Sequence, residues 1–573
     1  LDPLLIGEKA MIRREFINTV SMAAFSSLIC GCNLRTKKTR PNIILIMSDD
    51  MGYSDIGCFG GEINTPNIDK LANKGIRFTQ FYNTSRCCPT RASLLTGLYP
   101  HQTGIGFMTD EWSVEFGEGY ARDLNKKCIT IAEALKPAGY RNYAIGKWHV
   151  AHDFKPNGPK HNWPLQRGFD KFYGTIIGAN SYYDPGTLTR DNQAISPFAD
   201  KEYQPETYYY TNAISDHAVR YINEHSKEGN DDPFFMYVAY TTAHWPMQAL
   251  EKDIVKYKGH YDAGYEKIRE ARVRKMMHLG LIDPKWKVSD IYGDWEHAEY
   301  KEFEIRNMEV YAAMIDCMDQ GIGRIYEALK QNNKFDNTLI IFLQDNGGCH
   351  EDPCTWNKTP DKMFPPIPKD VVIQDMIPKQ TRKGKPVLSR YDLLSGPEET
   401  YVGYRQAWAN VSNTPFRMYK HWVHEGGIST PLIVHWPNGI PVKVQGRMER
   451  QPGHIIDIMA TCVELAEAEY PNVKNENHIY PLEGVSLVPL IFNKNIKRNK
   501  PIFFEHEGNR AIRDGKWKLV ADGPHGEWEL YDMENDRTEM NNLAENNPEI
   551  VNELAQEWEN WAIRTKVKPW PWK

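Results

Sequence analysis

FYNTSRCCPTRASLLTGLYPHQTGIG, residues Phe81 to Gly106, sets two adjacent thiols, a proline and an arginine at the head of an apolar helical pattern. Proline fits the first helical turn, where its missing N–H breaks no bond, so Pro89 predicts a helix through Leu94, Leu95 and Thr96 that stops at Gly97. Cys87 then stands at the positive end of that helix with Arg91 a turn further on, and both favour anionic chemistry there. Packing is the competing reading, because free cysteine is among the most buried residue types, and this stretch by itself leans slightly towards it.

Upstream, Pro41-Asn42-Ile43-Ile44-Leu45-Ile46-Met47 is a continuous apolar run, the mark of a strand buried on both faces of a parallel sheet. It delivers Ser48-Asp49-Asp50, and adjacent carboxylates repel each other unless a cation lies between them, although such a pair also suits a helix N-cap. Downstream, helices are expected at Ile68–Lys74 and Ile129–Leu135, and a strand at Arg141–Ile145 that delivers Gly146-Lys147-Trp148-His149. Residues i and i+2 of an extended segment point the same way, so Lys147 and His149 are expected to share a face. A polar, aromatic-rich region follows from His152 to Thr211, where Tyr182 and Tyr183 are expected near a site. A helix at Ala213–His225 leads to a strand at Pro233–Tyr240, which delivers Thr241-Thr242-Ala243-His244-Trp245-Pro246. Charged helical material fills Glu251 to Leu329.

The run Asn337–Leu343 is another buried strand, delivering Gln344-Asp345-Asn346-Gly347-Gly348. A long irregular insertion from His350 to Thr414 is of the kind that is usually functional. It ends close to Lys420 and Glu425-Gly426-Gly427, followed by a strand at Pro431–His435 and a helix at Ile455–Ala466. Beyond about Lys500, short alternating strands at Ile502–Glu505, Trp517–Val520 and Trp528–Tyr531 and a helix at Pro548–Ile563 read as a small α+β domain. The expectation is an α/β protein with a large mixed, mostly parallel sheet sandwiched by helices. Residues 1–40 form a leading segment, 41–498 the α/β domain and 499–573 the C-terminal subdomain.

The chain has 573 residues, with 69 Lys and Arg against 75 Asp and Glu, a net charge of −6 that argues for no nucleic-acid partner. Met11-Ile12-Arg13-Arg14-Glu15-Phe16 and the apolar run to Leu28-Ile29-Cys30 resemble a twin-arginine export signal, and residues 1–10 precede a natural-looking start at Met11. Ile29-Cys30-Gly31-Cys32 also reads as a lipoprotein box with Cys32 acylated; a simply cleaved signal is the equal alternative. An exported protein is expected, periplasmic or on the cell surface, touching a membrane only through a lipid anchor at Cys32. The ten cysteines make no CxxC pair, and Cys349 and Cys354 suit either one loop disulfide or two free thiols.

Asp49/Asp50, Lys147/His149, His244 and Asp345/Asn346 all fall just beyond the C-terminal end of a predicted buried strand. Such ends share one rim in an open α/β sheet, and ligands bind there. Three carboxylates and an amide form an all-oxygen set for a hard divalent cation, Ca²⁺ or Mg²⁺. Arg91, Lys147, Lys420 and two histidines add cations and proton carriers, a combination suited to sulfuryl or phosphoryl transfer.

With these residues in hand, the sequence resembles the type I sulfatases of the alkaline-phosphatase-like superfamily. Cys87-x-Pro89-Thr90-Arg91-x-x-x-Leu95-Thr96-Gly97 is similar to the family signature C-x-P-S-R-x-x-x-L-T-G, with Thr90 where serine or alanine is usual. Cys88 does not fit, because it would need proline at Thr90. Ser48-Asp49-Asp50-x-Gly52, Gly146-Lys147-x-His149, Thr242-Ala243-His244-x-Pro246, Asp345-Asn346-Gly347 and Lys420-x-x-x-x-Glu425-Gly426-Gly427 follow in the family's order.

The resemblance implies that Cys87 is oxidised to Cα-formylglycine by a maturation enzyme and acts as an aldehyde hydrate. It implies a metal, usually calcium, held by Asp49, Asp50, Asp345, Asn346 and the modified Cys87. One hydrate oxygen would attack sulfur while the metal, Lys147 and Lys420 take up charge. His244 would be the acid for the leaving alcohol, shared with Lys420; Arg91 would hold the hydrate, and His149 would take the second hydroxyl's proton. The implied substrates are aryl sulfates or sulfated carbohydrates, with the 350–414 insertion, the Tyr182 region and the terminal domain shaping the leaving-group pocket. The rival readings are a phosphodiesterase or phosphonate monoester hydrolase of the same superfamily and an unmatured sulfated-glycan binding protein.

Overall fold

The computed structural model describes residues 40–109, 117–229 and 232–570; the expected export signal, with Cys30 and Cys32, lies outside the described residues. Strand β1 (Asn42–Ser48) is buried along its whole length. Its alternate side chains enter two different cores, Ile44 and Ile46 on one face and Ile43, Leu45 and Met47 on the other. A continuous apolar run is therefore what a strand covered on both sides requires.

Helix α1 (Pro66–Lys74) leads to β2 (Ile76–Tyr82), and α2 (Cys87–Thr96) follows. Strands β3 (Arg141–Lys147) and β4 (Lys171–Thr175) precede α3 (Tyr210–Lys227) and β5 (Phe234–Ala239). The long helix α4 (Lys301–Gln331) is followed by β6 (Thr338–Gln344) and β7 (Ser429–His435). The central sheet runs β2-β7-β6-β1-β5-β3-β4 and gains short strands at both edges to make eleven. Strands β4, β3, β5, β1 and β6 are mutually parallel, while β7 is antiparallel to β6 and β2. Helices α1, α3 and α4 contribute to one core and α2 to the other. This is the expected mixed, mostly parallel sheet between helices.

Register carries the function. Ser48 lies opposite Gln344, Met47 opposite both Leu343 and Ala239, and Gly146 opposite Ala239. The four strands thus end level, and the residues that follow emerge along one rim. Gly146 has φ +96°, and a Cβ there would lie 1.9 Å from the Ala239 carbonyl oxygen, so only glycine lets β3 reach that register.

The C-terminal region forms a four-stranded antiparallel sheet of β8 (Ile502–His506), β9 (Asn509–Asp514), β10 (Trp517–Ala521) and β11 (Glu529–Asp532), covered by α5 (Pro548–Arg564). Trp558 Nε1 donates to the Phe504 carbonyl at 3.0 Å, and Trp561 stacks on Phe503 with ring centroids 5.0 Å apart. A buried polar seam joins this sheet to the central one: Lys518 pairs with Glu425 at 3.0 Å and Glu539 at 2.6 Å, and Arg537 with Glu425 at 3.1 Å. Arg513 donates to the Tyr82 hydroxyl at 2.6 Å.

Two local readings change, and one alternative that the sequence left open is decided. Helix α2 begins at Cys87 with Arg86 as its N-cap, so Cys87 lies inside the first turn and Pro89 is the third helical residue rather than the first. Strands β2 and β9 had no sequence signature, because Arg77 and Gln80 interrupt one and Arg510 and Arg513 the other. Cys349 and Cys354 are both free, buried thiols.

Candidate active site

The rim holds a closed network of buried charges. Asp49 Oδ2 accepts from Lys147 Nζ at 2.6 Å and lies 3.5 Å from Arg91 Nη2, which donates to Asp345 Oδ2 at 2.8 Å. The Asp50 N–H donates to Asp345 Oδ1 at 3.2 Å, and Asp50 Oδ1 accepts from Asn346 Nδ2 at 2.6 Å. Asp50 adopts φ +59°, a left-handed turn that directs the two successive carboxylates to different partners. Arg91 Nη1 also donates to the Lys147 carbonyl at 3.1 Å and the Tyr237 hydroxyl at 3.2 Å, tying α2 to β3 and β5.

Helix α2 presents Cys87 at the base of a cavity of about 450 Å³. The thiol groups with Cys88 and His149, their ligating atoms all within 4.8 Å of one another. The Cys88 thiol's hydrogen bond, followed by the charges of Lys147 and His149, outweighs burial and holds the Cys87 thiol well below its ordinary pKa. The same surroundings favour an oxyanion in place of the thiolate. Thr90, which departs from the usual serine, accepts from the Thr84 N–H at 3.1 Å and shares a 2.9 Å hydroxyl contact with Thr84, so its oxygen ties the approach to the helix. Lys147 and His149 do converge here, although not by strand alternation: β3 ends at Lys147 and His149 takes φ +54°.

On the opposite side, Lys420 Nζ lies 2.9 Å from Asp50 Oδ2 and 3.2 Å from His244 Nε2. His244 Nδ1 faces the Trp245 carbonyl at 2.7 Å, which makes it the N–H donor and leaves Nε2 to accept from Lys420. Burial pushes His244 below its ordinary pKa; burial also disfavours the Lys420 cation, but Asp50, Cys349 and Glu351 together more than offset this and raise Lys420 well above its usual value.

The donor set fits a hard divalent cation. Asp49 Oδ1 and Asn346 Oδ1 are buried acceptors without a hydrogen-bond partner among the described residues. Burial and the neighbouring Asp345 push Asp49 up to about 7, and a bound cation would favour its ionised form. Asp50 resists burial through His244 and Lys420 and stays below its ordinary value. His244 lies within reach of Asp49 and Asp50 as a further ligand, but its nitrogens are already engaged, so the all-oxygen set of Asp49, Asp50, Asp345 and Asn346 is the better match.

Several residues of the cavity had no signature. Glu351, Trp356, Met376 and Ile377 come from the 350–414 insertion, as expected of it in general, and Arg86 and Trp245 flank Cys87 and His244. Among the described residues, none that lines this cavity comes from the C-terminal sheet, contrary to expectation. The Tyr182 region reaches it through Ala179, while Tyr182 itself donates to the carbonyls of Thr241 at 2.6 Å and His244 at 2.9 Å and so supports the His244 loop.

A doubly covered sheet with an oxygen-rich, cation-flanked pocket at its C-terminal rim has the architecture of an alkaline-phosphatase-like hydrolase. The chain belongs to the sulfatase family, whose model matches residues 41–468; a second, described as N-sulphoglucosamine sulphohydrolase, C-terminal, matches residues 416–564. It is a sulfuric ester hydrolase. It is 32% identical to an arylsulfatase of Klebsiella aerogenes over 81% of this chain and 95% of that protein. Identity to an uncharacterised sulfatase of Schizosaccharomyces pombe is 31%, covering 93% of this chain and 96% of the other. Among solved structures, Ps i-CgsB superimposes with a TM-score of 0.62 at 26% identity, covering 91% of this chain and 93% of that one.

Proposed function

We propose that the protein hydrolyses sulfate monoesters of aryl or sugar alcohols, with an aldehyde hydrate derived from Cys87 and a Ca²⁺ or Mg²⁺ ion held by Asp49, Asp50, Asp345, Asn346 and the modified residue 87. The observation that carries this reading is an all-oxygen set with two unpartnered buried acceptors, joined by Lys420, which pairs with Asp50 at 2.9 Å, to the cavity that Cys87 also lines. The metal would supply Lewis-acid charge to the sulfuryl oxygens, and the hydrate an oxygen nucleophile. Lys147 and Lys420 hold positive charge on either side of the sulfuryl group. Arg91 fixes the carboxylates and the head of α2, and His149 is placed to take a proton from residue 87. Because burial keeps His244 neutral, the proton for the leaving oxygen is held by the Lys420–His244 pair.

Cys87 is 1% exposed in the folded chain, so a maturation enzyme would have to reach it before folding closes the site. The Klebsiella arylsulfatase and an N-acetylgalactosamine-6-O-sulfatase of Bacteroides thetaiotaomicron, 26% identical over 92% of this chain, support aryl and sugar alcohols as leaving groups. The Arg13-Arg14 signal and Cys32 support an exported, periplasmic or lipid-anchored enzyme. The test is turnover of 4-nitrophenyl sulfate and of defined sulfated saccharides, beside a phosphate diester, together with the mass of the residue-87 peptide. Sulfate release, an aldehyde mass and loss of turnover in Cys87→Ala are expected. Full activity in Cys87→Ala, or faster turnover of the diester, would overturn the proposal.

A further inference from the structure

Four side chains with soft donor atoms meet where α2 faces the cavity. Cys87, Cys88 and His149 are buried and place their ligating atoms within 4.8 Å of one another. Cys88 and His149 each hydrogen-bond the Cys87 thiol. A further donor stands beside them: Cys88 Sγ lies 3.7 Å from the thioether sulfur of Met108, which lines the cavity together with Cys87 and His149. Two thiols, a thioether and an imidazole are the donors of a soft cation, chemically opposite to the all-oxygen set of Asp49, Asp50, Asp345 and Asn346.

Charge narrows the choice of ion. Lys147 and Arg91 act on Cys87, but each is already held by a carboxylate, Lys147 by Asp49 at 2.6 Å and Arg91 by Asp345 at 2.8 Å. The head of α2 adds the positive end of its dipole. A monovalent ion on two thiolates leaves one net negative charge, which these surroundings favour, whereas a divalent ion on the same pair leaves none. Cys87 is 1% exposed and Cys88 fully buried, so a bound ion is kept from bulk water, while the cavity gives it a path to Cys87, Met108 and His149.

We propose that the folded, unmatured chain holds one Cu(I) ion on Cys87, Cys88, Met108 and His149. Binding replaces the thiol protons of Cys87 and Cys88, which pass to solvent, by two Cu–S bonds, with no change of oxidation state. The thioether and the neutral imidazole complete the coordination without giving up a proton. Conversion of Cys87 to an aldehyde removes one of the two thiolates, so residue 87 passes from a sulfur set to an oxygen set and the pocket from a soft ion to a hard one. Copper occupancy and maturation are then mutually exclusive states of one residue. That exclusion rests on the aldehyde reading of residue 87; the copper site itself rests on the four donors alone.

The test uses the full chain made without a maturation enzyme, with Cys30→Ser and Cys32→Ser removing the thiols of the leading segment and residue 87 confirmed as cysteine by mass. Cu(I) is offered anaerobically as its bicinchoninate complex, whose colour falls as the protein takes the ion. Transfer of one equivalent is expected, with sulfur neighbours in the copper X-ray absorption spectrum. Met108→Leu, close in size and apolarity, should weaken binding by about tenfold, and Cys88→Ser by about a hundredfold. The matured chain should take up none. Failure of the unmatured chain to draw Cu(I) from bicinchoninate would overturn the inference, and so would undiminished affinity in both variants or equal uptake by the matured chain. The Met108→Leu comparison stands even if Cys88→Ser does not fold. Copper uptake by a chain that gains no aldehyde mass when made together with a maturation enzyme would instead bring down the hydrate reading of Cys87.

Discussion

Lys420 Nζ donates to His244 Nε2 across 3.2 Å, while the Nδ1 hydrogen of the same imidazole is committed to the Trp245 carbonyl. The pair therefore carries its proton on the lysine side, next to Asp50, and in the proposed function it is this proton that the leaving oxygen would receive. A proton supplied to the leaving oxygen matters most when that oxygen is a poor leaving group. His244→Ala and Lys420→Ala should each lower kcat on sugar sulfates by about 10²-fold or more, and on 4-nitrophenyl sulfate by much less. Equal losses on both substrates would count against the assignment.

Metal loading should be visible without turnover. Asp49 Oδ1 and Asn346 Oδ1 are buried and unpartnered among the described residues, so a cation that binds only the folded protein should stabilise it. At a hundred times its Kd the gain would be about 2.7 kcal/mol. Thermal unfolding with Ca²⁺, Mg²⁺ or chelator measures this. A shift in wild type that disappears in Asn346→Ala is expected, and unfolding that responds to neither ion would remove these oxygens from the metal role.

Much of the rim was legible because buried parallel strands announce themselves as unbroken apolar runs, and the residues just beyond them carried the charges. Asp49 and Asp345 became neighbours because β1 and β6 pair with Ser48 opposite Gln344, a register that the shared rim expected from the sequence did not specify. Glu351 could not be read in the same way. It reaches Arg86 and Trp245 across 265 and 106 residues from an insertion without periodicity, so no local pattern marked the contact. Strand β9 was hidden for another reason: Arg510 and Arg513 are buried there through polar contacts, so a covered strand carries the composition of an exposed one.

Acid should weaken the fold through buried histidines, His506 among them. It is fully buried, neither ring nitrogen has a hydrogen-bond partner among the described residues, and burial pushes its pKa from 6.5 to about 3 against the pull of Glu507. Below pH 6.5 the unfolded chain binds a proton that the folded chain does not, so stability falls with pH until about pH 3. Glu507 acts in a lower window: burial raises it, but the bond to His421 and the charges of His506, His421 and Arg86 together hold it at about 2, so its contribution is present above about pH 4.5 and is lost as pH falls towards 2. Between pH 6.5 and 5, His506→Phe should therefore remove about 1.6 kcal/mol of the wild-type decline in unfolding free energy. Parallel pH profiles for the two proteins would show that His506 does not carry this effect.

Glu425 follows Lys420 in the stretch that resembles the family's glycine-containing motif, yet its partners are structural. Its carboxylate is fully buried between Lys518 and Arg537, it accepts from the Tyr82 hydroxyl at 3.2 Å, and those two cations outweigh burial to hold it below its ordinary pKa. Removing one member of a buried ionic set leaves the others without compensation, at a cost of about 3–5 kcal/mol. Glu425→Ala should therefore lower the unfolding midpoint sharply and loosen the C-terminal sheet, read as faster amide exchange in β9 and β10. Any enzyme that remains folded should keep the wild-type KM for 4-nitrophenyl sulfate, because none of Glu425, Lys518 or Arg537 lines the cavity at Cys87. A variant of wild-type stability with a raised KM would instead assign Glu425 to the substrate site.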